Sequence, residues 1–150
     1  KLDEGQYAAI ILAAAGLIRL GLETRIRSAI SPELSIPAVG QGALGIEISA
    51  SRRDLLAVLA PLNHADTQVC VEAERGMSRA LAGSCTVPLG AYATCEADNI
   101  RITGFVASVD GKQMLVETTS GNRNQAEALG KALANQLRAQ GADKILALLD

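Results

Sequence analysis

The chain has 150 residues, of which 49% are hydrophobic and 20% are charged, and its formal net charge at pH 7 is −2. This composition excludes a disordered tail, and the slightly negative charge argues against a nucleic-acid partner. The most apolar run, residues 8–18, ends at Arg19 and is shorter than the roughly 20 residues of a membrane-spanning helix. We therefore expect a globular chain with a core of its own and no membrane partner.

The first third of the chain has the pattern of a strand, a helix and an extended crossing. Residues 7–15, YAAIILAAA, form a continuous apolar run, which is typical of a strand buried on both faces of a parallel sheet. Gly16 ends this run, and apolar residues then recur near helical spacing over 17–30. Segment 36–48 returns to extended character, with a Gly-Gln-Gly interruption at 40–42, which predicts a crossing between sheets or domains.

Two helices are predicted next. Segment 52–62, RRDLLAVLAPL, predicts a short helix that ends near Pro61, and the polar segment 63–67, NHADT, supplies capping candidates for a longer one. The apolar stripe of the longer helix consists of Val69, Cys70, Ala73, Met77 and Leu81. Because Cys70 lies on or beside this stripe, we expect it to be a small core residue.

A period of two replaces the helical period after position 85. The alternating residues are Val87, Leu89, Ala91, Ala93 and Cys95, so Cys95 is also predicted to face the core. Segments 99–109 and 112–120 predict two more strands, joined by an Asp-Gly hairpin turn at 110–111. A helix over 124–141 ends at the capping Gly141 and presents an apolar face of Ala126, Leu129, Leu133 and Leu137. A short last helix is predicted over 143–150.

The cysteines and the histidine indicate no metal site. The three cysteines are an odd number at spacings that match no zinc pattern, and the single histidine, His64, adds little as a further ligand. A sparse set without close pairs is also typical of reduced thiols in the cytosol rather than of a disulfide framework.

Cys85 differs from the other two cysteines, since neither the helical stripe nor the strand alternation includes it. It lies in a Gly-Ser turn in LAGSCTVPLG, where a ligand can approach closely, and a thiolate is a strong nucleophile. No activating base can be assigned to it, because His64 is distant in sequence. The pattern alone leaves both a chemical role and an ordinary loop cysteine open.

Three separated segments resemble one family. They are KLDEGQYAAIILAAAGLIRLGL at 1–22, IPAVGQGALGIE at 36–47 and AERGMSRALAGSCTVPLG at 73–90. In this order they are similar to segments of the porphobilinogen deaminase family, also called hydroxymethylbilane synthase, a transferase family of tetrapyrrole (heme) biosynthesis. The resemblance runs over essentially the whole chain, and it is to the C-terminal half of such an enzyme.

The resemblance implies an activity and the residues that carry it. Members of the family condense four porphobilinogen units head to tail, with loss of ammonia, onto a covalent dipyrromethane primer and release hydroxymethylbilane. By position, Cys85 would hold the dipyrromethane through a thioether. Ala13, Gly16 and Gln41 match cofactor-contacting positions, and Arg19 matches a position in the catalytic cleft. The alternative for Arg19 is a solvated residue on a helix face, and a hinge explains the glycines around Gln41 equally well.

The resemblance also implies the domain organisation. Residues 1–62 would be the end of the hinged α/β region, which is like a periplasmic binding protein and is incomplete here. Residues 63–150 would be a small α+β cofactor-attachment domain with a three-stranded antiparallel sheet and flanking helices. The family's catalytic aspartate lies in the N-terminal half, so we expect this chain alone to be inactive, and the full-length enzyme to be cytoplasmic and monomeric.

Two other functions stay open at this stage. The first is a carboxylate-binding module of the periplasmic-binding-protein type, which would need no reactive cysteine. The second is a thiol redox protein that uses Cys85, which would need a resolving cysteine or a low thiol pKa.

Overall fold

A computed structural model of the protein describes residues 1–81 and 87–147. The chain forms two compact units, Lys1–Ser35 and Ile36–Asp150. Its helices and strands are α1 (Ala14–Arg19), α2 (Asp54–Leu59), α3 (Ala65–Ala80), β1 (Leu89–Glu96), β2 (Asn99–Ala107), β3 (Met114–Asn122), α4 (Ala126–Ala139) and α5 (Ala142–Leu146). Short 3-10 helices lie at Glu23–Arg25, Ala60–Leu62 and Arg123–Gln125. No helix within the described ranges is long and apolar enough to cross a membrane.

The first unit has little internal packing. It contains α1 and one 3-10 helix, and none of residues 1–35 is buried. Large apolar side chains face solvent, and that of Ile11 is 84% exposed. A salt bridge joins Arg25 to Asp3, and local backbone hydrogen bonds close the turns. The unit therefore has no hydrophobic core of its own.

The structure overturns the strand and the helix predicted within residues 7–30. Residues 7–13 have no regular secondary structure where a strand was predicted, and the predicted helix over 17–30 is reduced to the end of α1 and one 3-10 turn. Segment 36–48 has no strand, but it turns at 39–42, where the Gly-Gln-Gly interruption was predicted. A parallel strand requires neighbouring strands for its backbone hydrogen bonds, and no strand among the described residues pairs with residues 7–15.

The second unit is built on a three-stranded antiparallel sheet in the order β1-β2-β3. In the turn between β2 and β3, the carboxylate of Asp110 accepts hydrogen bonds from the Ser108 hydroxyl and the Lys112 backbone N–H. Gly111 follows with a φ of +68°, in the left-handed region that favours glycine. The predicted meander and its Asp-Gly turn are confirmed.

Helices α3 and α4 pack against each other and on one face of the sheet. The fully buried large side chains of this core are Met77, Ile100, Ile102, Val106, Leu133 and Leu137. The two helices approach closely at Gly130, because a Cβ there would lie 2.0 Å from the carbonyl oxygen of Ala73. The predicted apolar stripes of α3 and α4 are confirmed, and the whole is an α+β fold.

Two helix ends follow the sequence signals. The N-cap of α3 is His64, whose Nδ1 accepts a hydrogen bond from the Thr67 backbone N–H at 3.3 Å. After α4 the chain turns at Gly141, which has a φ of +106°, and α5 begins directly afterwards. The capping roles predicted for segment 63–67 and for Gly141 are confirmed.

Candidate functional site

Helix α1 brings together three of the predicted site residues. Ala13 is its N-cap, Gly16 lies in its first turn and Arg19 is its last residue. A spacing of three residues puts them on neighbouring parts of one side of the helix. All three are exposed, and a Cβ at Gly16 would meet no heavy atom within 4 Å. This side of α1 is open in the first unit.

The charge of Arg19 is unpaired within the described residues. Arg25, in the same unit, forms a salt bridge with Asp3, whereas Arg19 forms none with any residue in 1–81 or 87–147. A guanidinium group is planar and donates two parallel hydrogen bonds, which matches the geometry of a carboxylate. Arg19 is therefore chemically suited to hold a carboxylate group of a ligand.

Gln41 lies on a tight turn in the second unit. Its backbone N–H donates to the carbonyl oxygen of Ala38 at 3.2 Å, and Gly40 has a φ of +69°. A positive φ at the third position is the signature of a type II turn, which explains a glycine before Gln41. The Gln41 side chain is exposed at the end of this turn.

The turn is anchored by a buried acid that the sequence analysis did not select. Glu74 on α3 is 7% exposed, and its Oε2 accepts a hydrogen bond from the Gly40 backbone N–H at 2.8 Å. Its Oε1 accepts from the Ala93 backbone N–H on β1 at 3.0 Å. Burial raises the pKa of the Glu74 carboxyl, while these two N–H groups act in the opposite direction. The sequence signal for a buried Glu74 was its position directly after Ala73, which belongs to the apolar stripe of α3.

The beginning of the turn and the residue before it pack on the second unit's sheet and core. Val39 packs on the hydrophobic core, and Pro37 lies so near β1 that a Cβ on Gly90 would be 2.5 Å from its carbonyl oxygen. Gly90 therefore permits an approach that a larger residue would block. Segment 37–40 is thus attached to the sheet by backbone contact and by an apolar side chain.

Two of the three thiols face each other and pack on the core. The Sγ atoms of Cys70 on α3 and Cys95 on β1 are 3.5 Å apart, and both residues are half-buried. Burial, followed by the hydrogen bond with Cys95, raises the pKa of the Cys70 thiol to about 12. The predictions that both residues face the core are confirmed. Since the thiolate is the reactive form, Cys70 is a poor nucleophile.

Cys85 lies outside the described residues. The description ends at Leu81, directly after α3, and resumes at Val87, just before β1. In sequence, Cys85 therefore belongs to the connection between the helix that carries Glu74 and Cys70 and the strand that carries Cys95.

One surface depression contains none of the predicted site residues. It lies between the start of β3 and α5 and is lined by residues that include Lys112, Met114, Gln140 and Lys144. The described residues also contain no group of three or more histidine, cysteine or acidic side chains placed to hold a metal ion.

Both parts of the chain are similar to known proteins. Residues 1–57 match the family model described as porphobilinogen deaminase, dipyromethane cofactor binding domain, and residues 68–139 match the model of the porphobilinogen deaminase C-terminal domain. Relatives named porphobilinogen deaminase include proteins of Methylobacillus flagellatus (70% identical over 99% of this chain), Bordetella parapertussis (54%, 99%) and Thiobacillus denitrificans (56%, 97%). Each alignment covers 48% of the relative, so the chain spans about half the length of the curated relatives it matches.

Proposed function

Because the chain belongs to the porphobilinogen deaminase family, we propose that it forms half of a transferase of tetrapyrrole (heme) biosynthesis. The full-length enzyme would join four porphobilinogen units head to tail, with loss of ammonia, and release hydroxymethylbilane. The observation that carries this proposal is the agreement of two family models, matched in order over residues 1–57 and 68–139. The substrate is a small molecule with two carboxylates, which suits an exposed arginine on an open helix face.

A covalent dipyrromethane on Cys85 is part of the proposal. The family model over residues 1–57 is described by this cofactor, and the thiol chemistry of the chain fits it. Cys70 and Cys95 face each other at 3.5 Å against the core, and the raised pKa of Cys70 disfavours its thiolate. Cys85 is the remaining thiol in the sequence. A soft thiolate is well suited to form a thioether with an electrophilic pyrrole methylene carbon.

The other proposed contacts belong to residues with exposed surface. Arg19 would hold carboxylates through its guanidinium fork, and Gly16 would leave room for a pyrrole ring beside α1. Gln41 would donate or accept a hydrogen bond through its exposed amide, and Ala13 would contribute a small surface at the start of α1. When bound, the dipyrromethane supplies the free pyrrole end to which substrate is joined.

We also propose that residues 1–62 belong to a hinged α/β region and residues 63–150 to the cofactor-attachment domain. The matched ranges of the two family models support a boundary between 57 and 68. The absence of any buried residue in 1–35, with its exposed apolar side chains, supports burial of that segment against the other half of a longer enzyme. The sparse cysteines support a cytoplasmic location, and a monomer is proposed from the family resemblance.

The test uses a full-length enzyme, meaning a protein of the relatives' length that contains this sequence. Intact mass and peptide mapping should find a pyrrole-derived adduct on the peptide that contains Cys85. Cys85→Ser should lose both the adduct and the formation of hydroxymethylbilane, while the matched controls Cys70→Ser and Cys95→Ser should keep both.

Other outcomes would contradict the proposal. An adduct on either control thiol, or an active enzyme without an adduct, would contradict the assignment of Cys85. Binding of porphobilinogen that survives alkylation of all thiols, without turnover, would indicate a carboxylate-binding module. Peroxide or disulfide reduction that is lost in Cys85→Ser, without pyrrole mass, would indicate a thiol redox protein.

A further inference from the structure

We propose that Glu74 is a positioning residue, whose two carboxylate oxygens fix the turn carrying Gln41 against α3 and β1, the elements that flank Cys85 in sequence. This inference rests on the proposed function, because Gln41 and Cys85 are its proposed cofactor residues. Glu74 itself is too buried to touch a ligand, and it acts through the turn.

The geometry of the carboxylate carries the inference. Glu74 joins two backbone segments that are far apart in sequence, since Gly40 lies 34 positions before it and Ala93 lies 19 positions after it. Each oxygen accepts one backbone N–H, at 2.8 and 3.0 Å. Glu74 is the one buried charged side chain among the described residues, and every buried side-chain polar atom in those ranges has a hydrogen-bond partner.

Two N–H donors explain why a carboxylate occupies this position. Only a group with two acceptor oxygens in a fork satisfies both, because each backbone N–H needs an acceptor. A glutamine would offer one oxygen and turn its NH₂ group towards the second donor. An apolar residue would leave both N–H groups without partners, and the buried charge is therefore retained despite its desolvation cost.

The bond to Gly40 acts directly on the proposed site. Gln41 follows Gly40 in the chain, and its own N–H closes the turn onto Ala38. The Pro37 contact at Gly90 holds the residue before the turn and Val39 holds its second residue, but neither contact reaches past residue 39. Glu74 thus fixes the Val39–Gly40 peptide group, one residue before Gln41, and its loss frees this part of the turn without removing the packing of Pro37 and Val39.

The test compares Glu74→Gln with the matched control Glu72→Gln in the full-length enzyme. Glu72 lies on the same helix, is exposed and accepts a hydrogen bond from Gln68 alone among the described residues. In Glu74→Gln, we expect hydrogen exchange at the Gly40 and Gln41 amides to accelerate about tenfold or more, as expected for loss of a backbone hydrogen bond to a charged acceptor. Exchange in the centre of β2 should stay within about twofold of the wild type.

A second readout separates positioning from stability. Loading of the Cys85 adduct or kcat for porphobilinogen should fall about tenfold in Glu74→Gln relative to Glu72→Gln, measured at a temperature well below both unfolding midpoints, where both variants are folded. Glu74→Asp keeps two acceptor oxygens on a shorter arm and should restore part of the exchange protection and part of the activity. Glu74→Asp also provides the test if Glu74→Gln does not fold.

The outcomes are distinct for the two proposals. Wild-type exchange at Gly40 and Gln41 in Glu74→Gln, or faster exchange with normal loading and turnover, would overturn the positioning role. A wild-type enzyme with neither adduct nor turnover would overturn the proposed function, whereas the exchange measurement would still decide whether Glu74 holds the turn.

Discussion

Replacing Gly130 by alanine tests the close approach of α3 and α4. A Cβ at this position would lie 2.0 Å from the Ala73 carbonyl oxygen and 2.8 Å from the Met77 backbone nitrogen. Both are main-chain atoms, so a side-chain rotation cannot relieve the contact, and the helices would have to separate by about 1 Å in a close-packed core. In Gly130→Ala, a steric cost therefore competes with a gain in helix propensity.

Typical free energies predict that the steric cost exceeds the gain in helix propensity. Overpacking costs about 1–3 kcal/mol, and a backbone clash belongs near the upper limit. Alanine in a helix interior is favoured over glycine by about 1 kcal/mol. The net loss of unfolding free energy should be about 2 kcal/mol, which lowers the midpoint by roughly 8 °C at about 4 °C per kcal/mol.

Thermal unfolding of the 150-residue chain, followed by far-ultraviolet circular dichroism, measures this shift. The matched control is Asn135→Ala, an exposed position on the same helix, where the propensity gain occurs without a clash. Its midpoint should equal or exceed that of the wild type. A Gly130→Ala midpoint at or above the wild-type value would show that the helices do not touch at Gly130 and would refute the reasoning.

Four further predictions concern the site and its electrostatics. Arg19→Leu in the full-length enzyme should keep the Cys85 adduct but slow turnover roughly ten- to a hundredfold, the effect of losing a charged hydrogen bond of about 1.5–3 kcal/mol. Partly extended enzyme–pyrrole intermediates should accumulate and be visible by mass spectrometry. Arg27→Leu is the control, and a normal turnover rate in Arg19→Leu would exclude Arg19 from the site. The 150-residue chain alone should form no hydroxymethylbilane from porphobilinogen, and measurable porphyrin after oxidation would contradict this. With iodoacetamide at pH 8, alkylation of Cys70 should be slow, because burial and the hydrogen bond with Cys95 raise the pKa of its thiol to about 12 and disfavour the thiolate. Rapid labelling of Cys70, detected by peptide mapping, would contradict its placement against the core. Burial raises the folded-state pKa of Glu74 more than the hydrogen bonds from Gly40 and Ala93 and the charge of Arg75 lower it, so the native state binds the proton more tightly. The difference in unfolding free energy between the wild type and Glu74→Gln should then fall as pH rises from the unfolded-state pKa of about 4.3 through the folded-state pKa. Urea titrations of both proteins at several pH values measure this difference, and an increase with pH would contradict the prediction.

The sequence determined those parts of the fold whose signals are local. The apolar period of α3, the alternation in β1 and the Asp-Gly turn at 110–111 each specify an element from neighbouring residues. These elements also pack against one another within the second unit, so local pattern and tertiary contact agree. The family resemblance and the choice of Cys85 likewise came from short contiguous motifs.

The strand predicted for residues 7–15 shows the limit of such signals. An apolar run specifies burial, but it does not specify which strands provide the hydrogen bonds. The described residues contain no strand beside 7–13, and the run is exposed there. The relatives are about twice as long as this chain, so the run's partners in the proposed α/β region would belong to the other half.

Only the tertiary structure decided the roles of Glu74 and Gly130. In the sequence, Glu74 is one acid among several on an amphipathic helix, and Gly130 is a weak point in a helical pattern. The fold places Gly40 and Ala93 on the two oxygens of Glu74, and it places the Ala73 carbonyl against Gly130. Periodicity records which face of an element is buried, whereas the atoms that meet there come from residues far apart in the chain, and only packing brings them into contact.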